Sequence, residues 1–271
     1  QVTGIDAAGR KQYKYHTKWT SRRSDKKYFR LLDFGKVLGK ARKHIAKDLK
    51  RKKLDQQKVL AICLEVMQKT LIRIGNESYK QLYGSYGLTT LRDKHVQIKG
   101  AALQLNFIGK KGVKQNVEYH DRRLAALVKK CRDIPGQELF QYYRENGERC
   151  SIGTTQINNY IREITGSDFT AKDFRTWGGT LEALKQMAIC ERDFPDISQK
   201  KRVNEVLDCV ARRLGNTRAV CKSSYVYPVL LDAFENGKIK PYLKGVCKES
   251  DFPTEGDEKI LMKFLKANTK V

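Results

Sequence analysis

Arg213-Leu-Gly-Asn-Thr-Arg-Ala-Val-Cys-Lys-Ser-Ser-Tyr-Val-Tyr-Pro228 is the stretch whose reading decides the fold. An amphipathic helix, capped at Ser198 and turning Val203, Val206, Leu207, Val210 and Leu214 inward, runs into it and stops at Gly215. A polar residue, Asn216, follows the stop. Tyr225 comes nine residues later, in a run of small and basic residues that includes Lys222. The spacing predicts a helical stretch that holds Tyr225 and continues past Pro228 to Gly237. Standing alone, such a tyrosine is a packed aromatic, and Tyr227 is as good a candidate for chemistry. The rest of the chain has to decide.

Upstream, Thr170-Ala-Lys-Asp173 is a capping box that opens a helix through Met187 and puts Lys172 and Arg175 in its first turns. Gly178 and Gly179 inside it imply a kink or a close backbone approach. A cation at the positive end of a helix is disfavoured, so Arg175 needs either a functional reason or a buried ion pair. Before this helix come two more, over 121–132 and 155–165, the first closed by Pro135-Gly136. Three alternating segments precede them: His95–Ile98, Leu103–Ile108 and Val113–Tyr119. They read as a small antiparallel meander whose second turn, Gly109-Lys-Lys-Gly112, carries Lys110 and Lys111 at its tip; on its own that tip is a soluble turn. Leu88–Asp93 is a short helical turn or loop after a turn-rich linker at Gly84–Gly87. Nearer the start, residues 26–52 form a helix that Gly35 and Gly39 weaken in the middle. Asp55 caps a second helix, 56–74, that Gly75 ends; Arg73 then falls in its last turn, where the macrodipole alone favours a cation.

The chain carries 55 Lys+Arg against 30 Asp+Glu, a net charge of +25 over 271 residues. A positive field of that size suits a nucleic-acid backbone. No apolar run reaches the ~18 residues of a membrane-spanning helix, and there is neither signal peptide nor lipidation motif, so no membrane is expected. Seven scattered cysteines, with no Cys-x-x-Cys pair, fit a reducing cytosol and argue against zinc or a disulfide framework. No carboxylate pair or histidine cluster has ligand spacing, and no phosphate loop is present, so neither metal, ATP nor another cofactor is expected. The polar, basic residues 1–24 include Arg10-Lys-Gln-Tyr-Lys-Tyr-His16, read either as DNA contacts through Arg10, Lys11, Tyr13, Tyr15 and His16 or as a solvated loop that buries a tyrosine or two. Ile260, Leu261, Phe264 and Leu265 predict a helix in the tail.

Five separated segments then fall in order. They are Leu71-Ile-Arg-Ile-Gly-Asn-Glu77, Leu88-Thr-Thr-Leu-Arg-Asp-Lys-His-Val96 leading into Phe107-Ile-Gly-Lys-Lys-Gly112, Phe169-Thr-Ala-Lys-Asp-Phe-Arg-Thr-Trp-Gly-Gly179, and the tyrosine stretch. Together, over residues 1 to 240, they resemble the type IB DNA topoisomerases in their bacterial form. The resemblance implies a mainly α fold with a small three-stranded antiparallel β-sheet, shared with the tyrosine recombinases. It also implies relaxation of supercoiled DNA by a transient single-strand break, without metal or ATP. Carried onto these positions, it makes Tyr225 the nucleophile of a 3′-phosphotyrosyl bond, Arg73 and Arg175 the clamp on the phosphate, and Lys110 the acid for the 5′-oxygen. Asn216 stands where many relatives carry His; an amide can donate a hydrogen bond but cannot shuttle a proton. Lys172 becomes a further phosphate contact or proton donor, with Lys111 and Lys222 as DNA contacts. Only the spacing from Asn216 prefers Tyr225 over Tyr227.

On the same resemblance, residues 1–24 are the exit from an N-terminal clamp domain, 25–245 the catalytic domain and 246–271 a tail. The lack of an initial methionine fits a fragment without most of the clamp's cap, which is expected to bind DNA more weakly. The expected partner is double-stranded DNA, clamped by a monomer, and the expected place is the cytoplasm, on a bacterial nucleoid. The nearest rival is a tyrosine recombinase, which typically has His where Lys172 stands and another soon after the second arginine, here Thr176-Trp177. A basic binding module without catalysis would explain the charge but not the ordered set.

Overall fold

The computed structural model describes residues 2–5, 9, 11–14 and 16–268, with side chains for 2–5, 9, 13, 16 and 30–268. The chain opens with a hairpin of β1 (Val2–Ile5) and β2 (Lys11–Lys14) and enters a long helix, α1 (Thr17–Asp48). That helix starts well before residue 26 and runs through the expected domain boundary at 24/25. Gly35 and Gly39, expected to weaken the helix in its middle, do not interrupt it. Gly35 instead lets Trp177 press on the helix backbone: a β-carbon there would stand 2.7 Å from Trp177 Cη2. Packing against a neighbour outweighs the low helix propensity of glycine.

Helix α2 (Gln56–Thr70) lies at the centre. Asp55 caps it by accepting from the Lys58 backbone N–H at 3.0 Å, and Val59 through Leu64 are all buried. An apolar run longer than one helical turn leaves no polar face at that level, so this part of the helix belongs inside. It ends four residues sooner than the sequence suggests, because Leu71 turns into the left-handed region (φ 53°) and closes the cap. Arg73 therefore sits in an extended segment beyond the helix, so the macrodipole of a last turn does not explain it. A short helix, α3 (Glu77–Tyr83), follows; no element was expected there, although Asn76 caps it and Gly84 stops it.

Two 3₁₀ turns, at Leu88–Thr90 and Asp93–His95, lead into the meander β3 (Val96–Lys99), β4 (Ala102–Ile108) and β5 (Lys114–His120). Its register, Val96↔Leu105 and Ile108↔Lys114, places Leu103, Leu105 and Phe107 on the buried face. Then come α4 (Arg122–Arg132), a small hairpin of β6 (Gln141–Tyr143) and β7 (Arg149–Ser151) absent from the sequence reading, and α5 (Thr154–Thr165). Helices α6 (Ala171–Asp193) and α7 (Gln199–Leu214) pack as neighbours, and α1 lies against α2, α5 and α6.

The expected single helix around Tyr225 is two: α8 (Arg218–Ser224) and α9 (Pro228–Glu235). Pro228 has no N–H to give and bars Tyr227 from helical ψ, here 119°, so the ladder must stop before it. Tyr225, Val226 and Tyr227 form the break. A turn of helix, α10 (Lys240–Leu243), precedes the tail, whose helix α11 (Glu255–Asn268) packs on α1 and α6. Arg42 grips Glu258 with two nitrogens at 2.6 and 2.8 Å, and Trp177 Nε1 donates to the same carboxylate at 3.3 Å.

Candidate active site

Arg73 is fixed through its backbone. Its carbonyl accepts from the Leu88 N–H at 2.8 Å and the Ile74 carbonyl from Thr89 N–H at 2.7 Å, which stitches the extended segment to the first 3₁₀ turn. Gly87 makes that approach possible, since a β-carbon there would lie 2.7 Å from the Arg73 carbonyl. The guanidinium reaches across to the end of α7, donating from Nη1 to the Gly215 carbonyl at 3.1 Å and from Nη2 to Asn216 Oδ1.

Arg175 is buried, 3% exposed, in the second turn of α6. Its Nη1 donates to the Leu71 carbonyl and its Nη2 to the Leu214 carbonyl at 3.1 Å. Leu71 caps the C-terminus of α2 and Leu214 is the last residue of α7. The last carbonyls of a helix lack partners within it and carry the negative end of its dipole. Two helix C-termini thus receive the cation that the N-terminal end of α6 disfavours, and no ion pair is needed. A third arginine uses the same device: Arg213 Nη2 donates to the Lys69 carbonyl at 2.7 Å while its guanidinium lies over the Phe252 ring at 4.3 Å. Sequence reasoning passed over Arg213, whose role has no local signature.

Arg73, Lys110, Lys172, Arg175 and Tyr225 line one cavity of about 360 Å³. Lys110, exposed at the β4–β5 turn, is carried there by the meander; Lys172 lies one turn before Arg175 on α6. Among the described residues, no carboxylate forms an ion pair with these four cations. Asn216 joins the group through Arg73. Two donors of the cluster have no partner although they are buried: Arg175 Nε and Asn216 Nδ2. Buried donors without an acceptor cost free energy, and an acceptor placed beside them would recover it.

The Arg175 Cζ stands 5.0 Å from the centre of the half-buried Tyr225 ring. Burial pushes the Tyr225 phenol up, but Arg175, by charge and hydrogen bonding, then Arg73 and Lys172, outweigh it and hold it below the ordinary tyrosine value. Burial in turn pushes the Arg175 guanidinium down to about 10, which leaves it cationic at neutral pH. The two tyrosines differ in placement: Tyr225 lines the cavity, whereas Tyr227 is 5% exposed and part of the core.

The other predicted contacts stand apart. Lys111, at φ 64°, serves the turn and does not line the cavity, nor does exposed Lys222 on α8. Lys11 and Tyr13 belong to β2 and His16 precedes α1, all outside the cavity lining; Arg10 and Tyr15 lie outside the described residues. Asn76, Tyr79, Ser85 and Tyr86 line the cavity without having been foreseen. Asn76 as the cap of α3, with Gly84 at its end, was the signal that could have placed the first two.

The family described as eukaryotic DNA topoisomerase I, catalytic core, matches residues 16–238. A DNA topoisomerase 1B of Acanthamoeba polyphaga mimivirus is 32% identical over 243 residues, 87% of this chain and 72% of that one. The DNA topoisomerase 1B of vaccinia virus (strain Copenhagen) is 24% identical over 250 residues, 90% and 74% of the two chains. A DNA topoisomerase 1 of Daucus carota is 28% identical over 205 residues, 72% of this chain and 24% of that protein. These relatives are viral and plant proteins, and they give no support to a bacterial form. With Arg73, Lys110, Arg175 and Tyr225 lining one cavity, Asn216 bonded to Arg73 beside it, and a family match spanning most of its length, the chain belongs to the type IB DNA topoisomerases.

Proposed function

We propose that this protein relaxes supercoiled double-stranded DNA with Tyr225 as its nucleophile. The phenolate oxygen attacks a backbone phosphorus in line with the 5′-oxygen. The new bond is a 3′-phosphotyrosine, and the displaced strand leaves as a 5′-hydroxyl. After the duplex has rotated, that hydroxyl attacks the phosphotyrosine and restores the strand. One phosphodiester is exchanged for another at each step, so no nucleotide has to be consumed.

Arg73 and Arg175 hold the nonbridging oxygens, whose charge grows as the phosphorus becomes five-coordinate. Asn216 Nδ2 donates to one of them, and its Oδ1 keeps Arg73 in place. Lys110 gives its proton to the leaving 5′-oxygen, and Lys172 adds charge beside the phosphate. The phenol loses its proton readily because the cations favour the phenolate. Two unpartnered donors beside a depressed phenol form the single observation that carries this reading.

Lys11, Tyr13, His16, Lys111 and Lys222 touch DNA away from the scissile phosphate, and a single protomer closes on the duplex. The site of action is wherever that DNA is kept. The test is a supercoiled plasmid with the Tyr225→Phe protein. Relaxation should vanish while DNA binding persists; unchanged relaxation refutes Tyr225. Relaxation of plasmid alone, with no joining of specific sites, separates this reading from a recombinase.

A further inference from the structure

The break between α8 and α9 puts the nucleophile on a segment that cannot hold itself. The Tyr225 and Val226 N–H groups still turn back to the Cys221 carbonyl, both at 3.0 Å. The Tyr225 carbonyl and the Tyr227 N–H are left out of the helical ladder. One side chain from another helix takes both. Thr180 Oγ1 on α6 donates to the Tyr225 carbonyl at 3.1 Å and accepts from the Tyr227 N–H at 3.2 Å. Thr180 is fully buried, and the intervening Val226 is buried with it.

A threonine inside a helix ordinarily spends its hydroxyl on its own helix. Thr176, one turn earlier on α6, does so, donating to the Lys172 carbonyl at 3.0 Å. Thr180 bridges the tyrosine segment instead. Its neighbour prepares the approach: a β-carbon on Gly179 would lie 3.1 Å from the Tyr225 carbonyl oxygen and 3.2 Å from Tyr225 Cβ. The same helix carries Arg175, whose guanidinium faces the Tyr225 ring. One rigid element therefore fixes the phosphate clamp and the backbone of the attacking residue in a single frame.

We propose that Thr180 is the positioning residue of the nucleophile: its hydroxyl, seated through Gly179, sets where Tyr225 Oη stands relative to the phosphorus held by Arg175. The inference rests on Tyr225 being the nucleophile. It predicts that loss of the hydroxyl slows attack on phosphorus and leaves DNA affinity and the departure of the 5′-oxygen alone.

The test is single-turnover cleavage by the full chain at saturating duplex, normalised to the protein that binds DNA, with melting temperature measured alongside. Thr180→Val, close to isosteric, should cleave on the order of 100-fold more slowly, the size expected for a misplacement near 1 Å. Thr180→Ser should recover cleavage to within a few fold. Gly179→Ala keeps the hydroxyl but crowds Tyr225, and should slow cleavage at unchanged DNA affinity. A substrate with sulfur as the 5′-bridging atom then separates the two ends of the reaction. The Tyr225 Oη–P bond forms, the P–S bond breaks, and the electron pair leaves on a thiolate that needs no proton. Lys110→Ala should regain its rate on this substrate, whereas Thr180→Val should stay slow. Wild-type cleavage by both Thr180→Val and Gly179→Ala overturns the proposal. So does a Thr180→Val defect that disappears with sulfur, or a Thr180→Ser protein no better than the valine. If Thr180→Val is poorly folded, the comparison of Thr180→Ser with Gly179→Ala still decides. Should Tyr225→Phe retain relaxation, the reading beneath the inference fails instead, and the two failures are told apart by that one control.

Discussion

Replacing Arg175 with lysine keeps the charge and removes the fork. In the native protein that fork spans the ends of two helices, Leu71 of α2 and Leu214 of α7, and leaves Nε without a partner. An ammonium is a point donor and cannot serve two carbonyls and a phosphate at once. One buried carbonyl then loses a charge-assisted hydrogen bond, a cost of about 2 kcal/mol. For a chain of this size that lowers the melting temperature by roughly 4–8 °C. The catalytic loss is larger, because removing one preorganised donor to a developing oxyanion costs about 100- to 1000-fold in rate. Arg175→Ala should lose more stability, since both carbonyls are orphaned and the side-chain volume is emptied. Thermal unfolding by circular dichroism and single-turnover cleavage of a duplex at saturating protein measure the two effects. An Arg175→Lys protein that melts normally and cleaves within two-fold of the parent would refute the reasoning, for it would mean that the helix ends do not orient this cation.

Asn216→Asp keeps an acceptor for Arg73 but exchanges the Nδ2 donor for a negative charge beside the phosphate; cleavage should fall by at least about 10-fold, whereas Asn216→His, which keeps a donor, should cleave faster than the aspartate. The cations lower the Tyr225 phenol, so the rising limb of the cleavage rate with pH should lie below the ordinary tyrosine value of about 10. Removing one of those cations raises the phenol, so in Lys172→Met the limb must move to higher pH; a limb that stays put would count against the electrostatic account. Glu258→Gln weakens the grip of Arg42 and Trp177 on the tail and should lower the melting temperature with DNA affinity unchanged, as read by thermal unfolding and a filter-binding titration.

Much of this protein was legible in its residues. The meander was, since alternation and the Gly109–Gly112 turn are local facts, and so were α5, α6 and α7, whose apolar stripes, with the capping box of α6, are written within each helix. The candidate site was legible as a list: Arg73, Lys110, Lys172, Arg175, Asn216 and Tyr225 all come to one place. Where local rules failed, a distant neighbour had the stronger claim. Gly35 does not break α1 because Trp177 packs on it, and α2 stops early because Leu71 turns its carbonyl to Arg175. Nothing near Tyr225 in sequence shows that Thr180, 45 residues away, holds its backbone.

Sequence by itself determined the charge, the order of the chemical groups and most of the elements that bear them, because capping, turn chemistry and apolar periodicity act over a few residues. Tertiary structure decided how those groups are aimed. The arginines are oriented by carbonyls at the ends of α2 and α7, 104 and 39 residues from Arg175. A helix end offers such carbonyls whatever its side chains are, so no residue pattern announces which cation will find them.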